Sequence, residues 1–452
     1  MRGKGLRAKG DGVPRELLRA LRYRNFRLFF IGQGISLIGT WMQQVAMSWL
    51  VYRLTGSALL LGTVGFCAQI PTFLLASFAG VLADRVSRRS LLLCTQTLSM
   101  IQAFVLSALV LTGSVRVWHI IAASLFIGMV NGFDIPARQS FFVEMIDRKE
   151  DLANAIALNS SVFNGARLIG PAMAGAVIAI VGEGICFFIN GLSFLTVIAA
   201  LYMMRLKARQ VPVGATPLWY ELREGFAYAY GFTPIRYILI MLAMISLTGM
   251  QYTVLLPVFA REVLHGGAHT FGFLMSASGV GAFAAAVYMA SRRSVLGLGR
   301  VITIAVAFFG VALIIFSFSH YFWLSLLMLF FTGFASITHV ASCNTILQTV
   351  ADDNKRGRVM SFYTMAFMGT APVGSLLAGA LAGRIGAPDT LALGGVFCLA
   401  SSLVFYLKLP AVRRAAKPVY IRMGIMPEVA GGIQTASETS VPGDVKESVR
   451  GK

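Results

Sequence analysis

Three ionisable side chains lie in stretches of this sequence that are otherwise strongly apolar. Asp134 and Arg138 fall in the run that follows Gly128, and Arg167 falls in the next apolar run, close to Gly170. A charge inside a bilayer costs on the order of several kcal/mol unless it is paired or hydrated, so such residues are functional candidates. Proton binding and release is the chemistry they could perform, since burial and a nearby cation shift the proton affinity of a carboxyl group in opposite directions.

The apolar runs that position these charges recur through the whole chain. Hydrophobic residues make up 57% of the 452 residues and charged residues only 13%, against roughly 25% charged residues in soluble domains. A helix of about 20 residues crosses the hydrocarbon core of a bilayer. The sequence therefore predicts an all-α membrane protein with twelve spans, at roughly 27–52, 57–83, 90–112, 117–141, 155–181, 184–205, 235–260, 270–291, 298–319, 321–349, 357–382 and 389–409.

Lysine and arginine residues lie almost entirely on alternate predicted loops. The positive-inside rule then places both termini and every even-numbered loop in the cytoplasm. This pattern accounts for the net charge of +20, so we expect the lipid bilayer, and no nucleic acid, as the partner of these charges. The five cysteines fall in apolar segments without CxxC spacing, which indicates packing residues and predicts no metal site.

An internal repeat divides the chain into two halves. A shift of about 205 positions aligns Phe126, Gly128 and Asp134 with Phe331, Gly333 and His339. Parallel repeats with a binding site between them are typical of one class of secondary transporters. The predicted parts are a cytoplasmic amphipathic segment (1–26), an N-terminal six-helix bundle (27–207), a cytoplasmic linker (208–232), a C-terminal six-helix bundle (233–410) and a disordered cytoplasmic tail (411–452).

The loop after the second span has an unusual charge pattern. Asp84 would lie at the carboxyl end of a helix, where a negative charge is unfavourable and needs donors. The amino end of the eleventh span, near Gly357, could supply them together with neighbouring arginines. We therefore predict a latch between the bundles, formed by Gly80, Asp84, Arg85, Arg88 and Arg89. The alternative is a short loop that only sets topology and whose acid is incidental.

This loop string resembles the loop signature of the major facilitator superfamily, with Ser87 in place of a usual glycine. The fifth span, with Gly170, Pro171 and Gly175, is similar to the motif of the superfamily's antiporters. The wider sequence resembles the bacterial efflux branch that includes the enterobactin exporter and drug and macrolide efflux proteins. The resemblance implies two pseudo-symmetric six-helix bundles in the bacterial inner membrane, alternating access, and export driven by proton influx. The Arg-Gly signature usual in the fourth helix of drug antiporters is absent.

In the superfamily the first, fourth, seventh and tenth helices line a central cavity. The corresponding spans carry weakly polar stripes at helical spacing, with methionine and aromatic residues close by, which suits a large amphipathic solute. The predicted cavity residues are Gln33, Thr40, Gln44, Asn131, Thr248, Gln251, Tyr252 and Ser336. The alternative for each stripe is ordinary hydrogen bonding between packed helices.

Asp134 is the predicted protonation site, and Arg167 is its predicted alternating partner. Arg138 could also approach or withdraw from this carboxyl group, and His339 occupies the equivalent position in the second half. The competing hypothesis is a permanent structural ion pair. In the fifth span, Gly170, Pro171 and Gly175 permit a bend and close helix packing, either for packing alone or to limit leakage.

Together these patterns predict a monomeric secondary transporter that exports amphipathic small molecules, with no cofactor other than the proton gradient. We predict no enzyme activity, because the sequence has no nucleophile and base pair, no metal-ligand spacing and no phosphate-binding loop followed by lysine. A siderophore or lysophospholipid transporter is the alternative within transport. A transport-inactive receptor or scaffold is the alternative of another class, and the costly buried charges argue against it.

Overall fold

The computed structural model describes residues 18–146, 148–205, 228, 230–292, 294–352 and 355–425, without the side chains of 76–85, 143, 149 and 153. These residues form long helices and no strand. The helices are α1 (Arg24–Thr55), α2 (Ala58–Arg85), α3 (Arg88–Leu111), α4 (Val117–Met145), α5 (Lys149–Val181), α6 (Glu183–Met203), α7 (Thr233–Val263), α8 (Ala268–Ser291), α9 (Leu298–Ser317), α10 (Phe322–Val350), α11 (Arg356–Ile385) and α12 (Ala387–Arg422).

The predicted all-α membrane fold is confirmed. Within the described residues, eleven helices are long and apolar enough to span a bilayer. The remaining long helix, α1, has 32 residues and is less apolar because it carries Gln33, Gln43 and Gln44. Two helices contain a π-helical turn, at Phe259–Val263 in α7 and Met365–Gly369 in α11.

The last helix extends beyond its predicted end. We expected disorder after Pro410, but α12 continues through this proline to Arg422. Val412 and Ala416 are buried, and Tyr420 packs against the core. This burial stabilises the extra turns, so the prediction of disorder is wrong for 411–422, whereas 426–452 lie outside the described residues.

Two other predicted segments are described only in part. Of the predicted linker 208–232, residues 228 and 230–232 are described. Of the predicted segment 1–26, residues 18–26 are described, and Arg19–Arg22 forms a short 3-10 turn there.

Each half is held together by equivalent helix pairs. In the first half, a side chain at Gly128 of α4 would meet the Ala68 carbonyl oxygen of α2 at 2.7 Å. In the second half, a side chain at Gly333 of α10 would meet the Ser278 carbonyl oxygen of α8 at 2.0 Å. These glycines are aligned by the sequence repeat, and both allow backbones to touch. The halves meet where α2 packs against α11 and where α5 packs against α8.

One tyrosine in each half ties the start of that half to an aspartate later in the same half. We call the side of the protein where α1 begins and α12 ends the terminal face, and the other side the opposite face. On the terminal face Tyr23 donates a hydrogen bond to Asp151 at 2.6 Å, and Tyr228 donates one to Asp352 at 3.1 Å. Arg22 also forms an ion pair with Asp151. The two tyrosines are related by the repeat, so both halves fix their first helix in the same way.

Candidate functional site

Asp134 lies inside the first half and is fully engaged by neighbouring donors. Its carboxylate accepts hydrogen bonds from Thr95 and Gln96 of α3, each at 2.8 Å, and it forms an ion pair with Arg138. Only 2% of the residue is exposed. Arg138 reaches the carboxylate because residues four apart share one face of a helix. The predicted partner, Arg167, is not within ion-pair distance, so that pairing is corrected to Arg138.

The partners of Asp134 all belong to the first half. A movement of one half against the other therefore leaves these contacts unchanged, which favours the structural ion pair over an alternating one. His339, the equivalent residue in α10, is also buried at 1% exposure, with Cys343 Sγ at 3.5 Å from its Nδ1. The two aligned positions thus have different chemistry, and a coupling role for His339 stays a prediction.

Arg167 lies near the middle of α5, where helices of both halves converge. Its guanidinium carbon lies 5.8 Å from the ring centroid of Trp41 in α1. Its backbone carbonyl faces α8, since a side chain at Gly279 would meet that oxygen at 2.9 Å. Arg167 is half-buried. The predicted cation is therefore at the junction of the halves, but on an aromatic ring and not on the predicted carboxylate.

Three of the predicted cavity residues are exposed or line a cavity. Thr40 and Gln44 of α1 are exposed. Asn131 of α4 lines a cavity of about 250 Å³. Phe73 of α2 and Tyr363 of α11 line the same cavity, which therefore has walls from both halves. Hydroxyl, amide and aromatic groups in one crevice suit an amphipathic molecule.

The other predicted cavity residues are buried or half-buried among the helices in this conformation, so their place in a substrate cavity stays a prediction. Gln33 is buried, Gln251 accepts a hydrogen bond from Ser375 at 2.8 Å, and Tyr252 shares one with Ser278 at 2.6 Å. Ser336 is buried and donates to a carbonyl of its own helix, as does the half-buried Thr248. Helical spacing identified one face of each helix, but it did not identify the neighbour that each face meets.

The predicted latch is only partly described. Arg88 donates to Glu144 of α4 at 3.0 Å, and Arg89 donates to the Tyr202 carbonyl of α6 at 3.0 Å. These contacts brace the first half internally and do not cross to the second. The side chains of Asp84 and Arg85, with Gly80 beside them, lie outside the described side chains, so the latch stays a prediction.

The helix-5 motif packs closely against two helices. A side chain at Gly170 would lie 2.6 Å from Trp41 Cβ of α1, and one at Gly175 would lie 3.1 Å from Gly272 Cα of α8. Pro171 is inside α5, and its carbonyl oxygen lies 2.6 Å from where a side chain at Gly272 would begin. The motif therefore packs within the first half at Gly170 and against the second half at Pro171 and Gly175.

The sequence missed the contacts that close the opposite face. Gly62 of α2 crosses Gly379 of α11 so closely that a side chain at Gly62 would lie 2.4 Å from the Ser375 carbonyl oxygen. Tyr52 of α1 donates a hydrogen bond to Glu262 of α7. Small residues four apart in α11 are a signal for such a crossing, but nothing in the sequence pairs α2 with α11.

These closing contacts extend along the interface between the halves. Trp49 of α1 stacks on Phe271 of α8 with centroids 6.2 Å apart. The Gly175 and Gly272 crossing involves the next residue of α8. The described halves are thus joined between the middle of the protein and the opposite face.

The chain is similar in sequence to known membrane transporters. Residues 17–431 match the model of a family described as transmembrane secretion effectors. The staphyloferrin A transporter of Staphylococcus aureus is 26% identical over 381 residues, which are 84% of this chain and 95% of that protein. The multidrug efflux pump Tap of Mycolicibacterium fortuitum is 25% identical over 397 residues, covering 86% and 95%.

Solved structures share the fold at low sequence identity. A POT family transporter bound to a thioalcohol-conjugated peptide superposes with a TM-score of 0.70 at 12% identity, covering 86% of this chain and 96% of that one. A bacterial homologue of the lysosomal transporter Spinster, inward-facing and unoccupied, has a TM-score of 0.62 at 13% identity and covers 90% and 99%.

Proposed function

The chain belongs to the transmembrane secretion effector family of the major facilitator superfamily, and on that premise we propose that it exports small amphipathic molecules across the bacterial inner membrane. The observation that carries this proposal is an interface between two repeated halves that is joined toward one face by glycine crossings. Such an interface suits alternating access, in which the halves rock and expose a site between them to each side in turn. Enzymatic chemistry is no part of the proposal.

The orientation follows from the charge pattern. With both termini in the cytoplasm, the opposite face is periplasmic, and the described contacts correspond to a protein closed on the periplasmic side. Export then requires the crossings between α2 and α11 and between α5 and α8 to separate. The proposed partners are the bilayer and the substrate, and the proposed transporting unit is a monomer.

Proton influx is the proposed driving force, and Glu262 is the carboxylate placed to sense it. This residue joins the halves through Tyr52 at the periplasmic end. A hydrogen bond to a charged carboxylate is worth about 1.5–3 kcal/mol. Protonation from the periplasm would weaken this bond and favour opening on that side.

A Glu262→Gln variant is therefore expected to close less firmly and to respond less to an imposed pH gradient, with efflux reduced by roughly tenfold. Efflux from vesicles with and without a gradient measures this effect. Glu183→Gln is the matched control, because Glu183 lies at the same face but pairs with Arg53 within the first half. Normal gradient dependence in Glu262→Gln would remove Glu262 from the coupling mechanism.

Expression in a strain lacking its own efflux pumps tests the function directly. A panel of toxic dyes, drugs and siderophores is applied with and without the protein, and with and without a protonophore. We expect raised resistance that the protonophore removes. No change for any compound, with the protein present in the membrane, would favour the transport-inactive receptor or scaffold.

A siderophore transporter is the second candidate within transport, and the similarity to the staphyloferrin A transporter favours it. A lysophospholipid transporter is the other alternative. Accumulation of a siderophore outside expressing cells, without resistance to drugs, would select the siderophore among the three.

A further inference from the structure

Arg167 is a cation in the middle of the bundle whose neighbour is an aromatic ring. Its guanidinium lies over Trp41 of α1, and Phe163, one turn earlier on α5, packs edge-on against the same tryptophan with centroids 5.9 Å apart. Arginine stacked on tryptophan keeps its donors at the rim of the guanidinium plane. The stack therefore orients Arg167 and leaves hydrogen-bond donors for another group.

Three carboxylates of the described membrane-spanning helices are engaged elsewhere. Asp134 pairs with Arg138, Glu183 pairs with Arg53, and Glu262 accepts from Tyr52. Among the described side chains, none of these acids is within ion-pair distance of Arg167. A guanidinium at this depth is costly without a counter-charge, so an anion from outside the chain would complete the site.

The surroundings of Arg167 suit a ligand with an apolar part. Asn164 is half-buried and lies one turn before Arg167, while Thr40 and Gln44 on α1 are exposed beside Trp41. Trp41 and Phe163 offer ring faces and edges, and the polar groups offer donors and acceptors. The α8 backbone of the second half lies directly behind Arg167, so a ligand here sits at the interface that must move.

We propose that Arg167, held on Trp41, binds the anionic group of the transported molecule, and that the preferred substrates are amphipathic organic anions. A carboxylate or a phosphate group fits the planar fork of arginine through two parallel hydrogen bonds. The apolar part of the molecule packs on Trp41 and Phe163. This proposal rests on the proposed export function and gives it a substrate class.

Binding of three matched probes to the purified protein in nanodiscs tests the charge preference. Pyrenebutyrate, pyrenebutanol and pyrenebutylamine share one aromatic body and differ in charge, and energy transfer from tryptophan reports their binding. We expect the anion to bind about tenfold or more tightly than the amine, from the strength of a charge-assisted pair. The Arg167→Gln variant is expected to lose this preference, and Arg167→Lys to keep part of it because lysine cannot form the fork.

Arg205→Gln is the matched control, because it removes the same charge from an exposed position at the end of α6. It should bind all three probes as the unchanged protein does. Equal affinities for the three probes in the unchanged protein, or a preserved preference in Arg167→Gln, would overturn the proposal.

Thermal unfolding separates ligand binding from a structural role. Because Arg167 has no carboxylate partner among the described side chains, the melting temperature of ligand-free Arg167→Gln should be unchanged or raised. Pyrenebutyrate should raise the melting temperature of the unchanged protein only. A lower melting temperature together with a preserved ligand shift would contradict the proposal.

The efflux assay keeps the two proposals apart. If the unchanged protein exports a dye but binds the three probes equally, export stands and the anion site fails. If the anion preference is present but no compound is exported, the site stands and the export function fails.

Discussion

A Gly62→Val exchange is expected to lower the efflux rate roughly tenfold or more while the protein stays folded in the membrane. A side chain at Gly62 would begin 2.4 Å from the Ser375 carbonyl oxygen and 3.0 Å from Gly379 Cα. Both are backbone atoms, which cannot rotate away, so α2 and α11 must separate at this crossing. Overpacking of this kind costs about 1–3 kcal/mol, and here the cost falls on the closed state alone, which shifts the equilibrium by one to two orders of magnitude.

Cysteine labelling shows whether this interface has opened. Ser375 is buried beside Gly62, so a Ser375→Cys reporter, in a chain whose native cysteines are replaced, is protected from an impermeant maleimide. We expect Gly62→Val to increase its labelling from the periplasmic side. Gly383→Val is the matched control on α11, because a side chain there has no atom within 4 Å. Unaltered efflux and labelling in Gly62→Val would show that α2 and α11 need not touch.

The second large effect is expected for Asp134→Asn, which should lower the stability of the protein by on the order of 3 kcal/mol. Its partner Arg138 is only 22% exposed. Breaking a buried pair from one side leaves an uncompensated charge, and this loss exceeds the worth of the pair itself. The amide of asparagine can still contact Thr95 and Gln96, so the unpaired arginine is the main source of the loss.

The double variant Asp134→Asn with Arg138→Gln distinguishes a structural pair from a coupling residue. If the pair is structural, removing both charges should restore most of the thermal stability, and efflux should keep its dependence on an imposed pH gradient. Thermal unfolding and vesicle efflux are measured for both single variants and the double one. A stable double variant that exports without responding to the gradient would instead identify Asp134 as the protonation site.

Much of the fold could be predicted because lipid imposes simple rules. A helix must be long and apolar to cross the bilayer, and this rule located the twelve helices to within a few residues at most ends. The repeat that aligned Gly128 with Gly333 corresponds to equivalent helix crossings. The end of α12 was missed since its stability comes from burial of Val412 and Ala416, which local composition does not reveal.

The site could be predicted only in part. Periodicity identified the residues that share a helix face, and the depth of Asp134, Arg138 and Arg167 marked them as unusual. Periodicity did not show what each helix face would contact in the folded protein. Thr40 and Gln44 are exposed, whereas Gln33 on the same face of α1 is buried because other helices cover that end.

By itself, the sequence determined a membrane protein of twelve helices with a two-fold repeat and marked three costly charges inside its apolar segments, and it predicts cytoplasmic termini. The tertiary structure decided which partners those charges have. Asp134 pairs within its own helix, Glu262 reaches Tyr52 in the other half, and the Arg167 guanidinium lies over Trp41. The physical reason is that hydropathy and helical spacing are properties of a single segment, whereas the pairing of charges depends on how segments distant in sequence pack against each other.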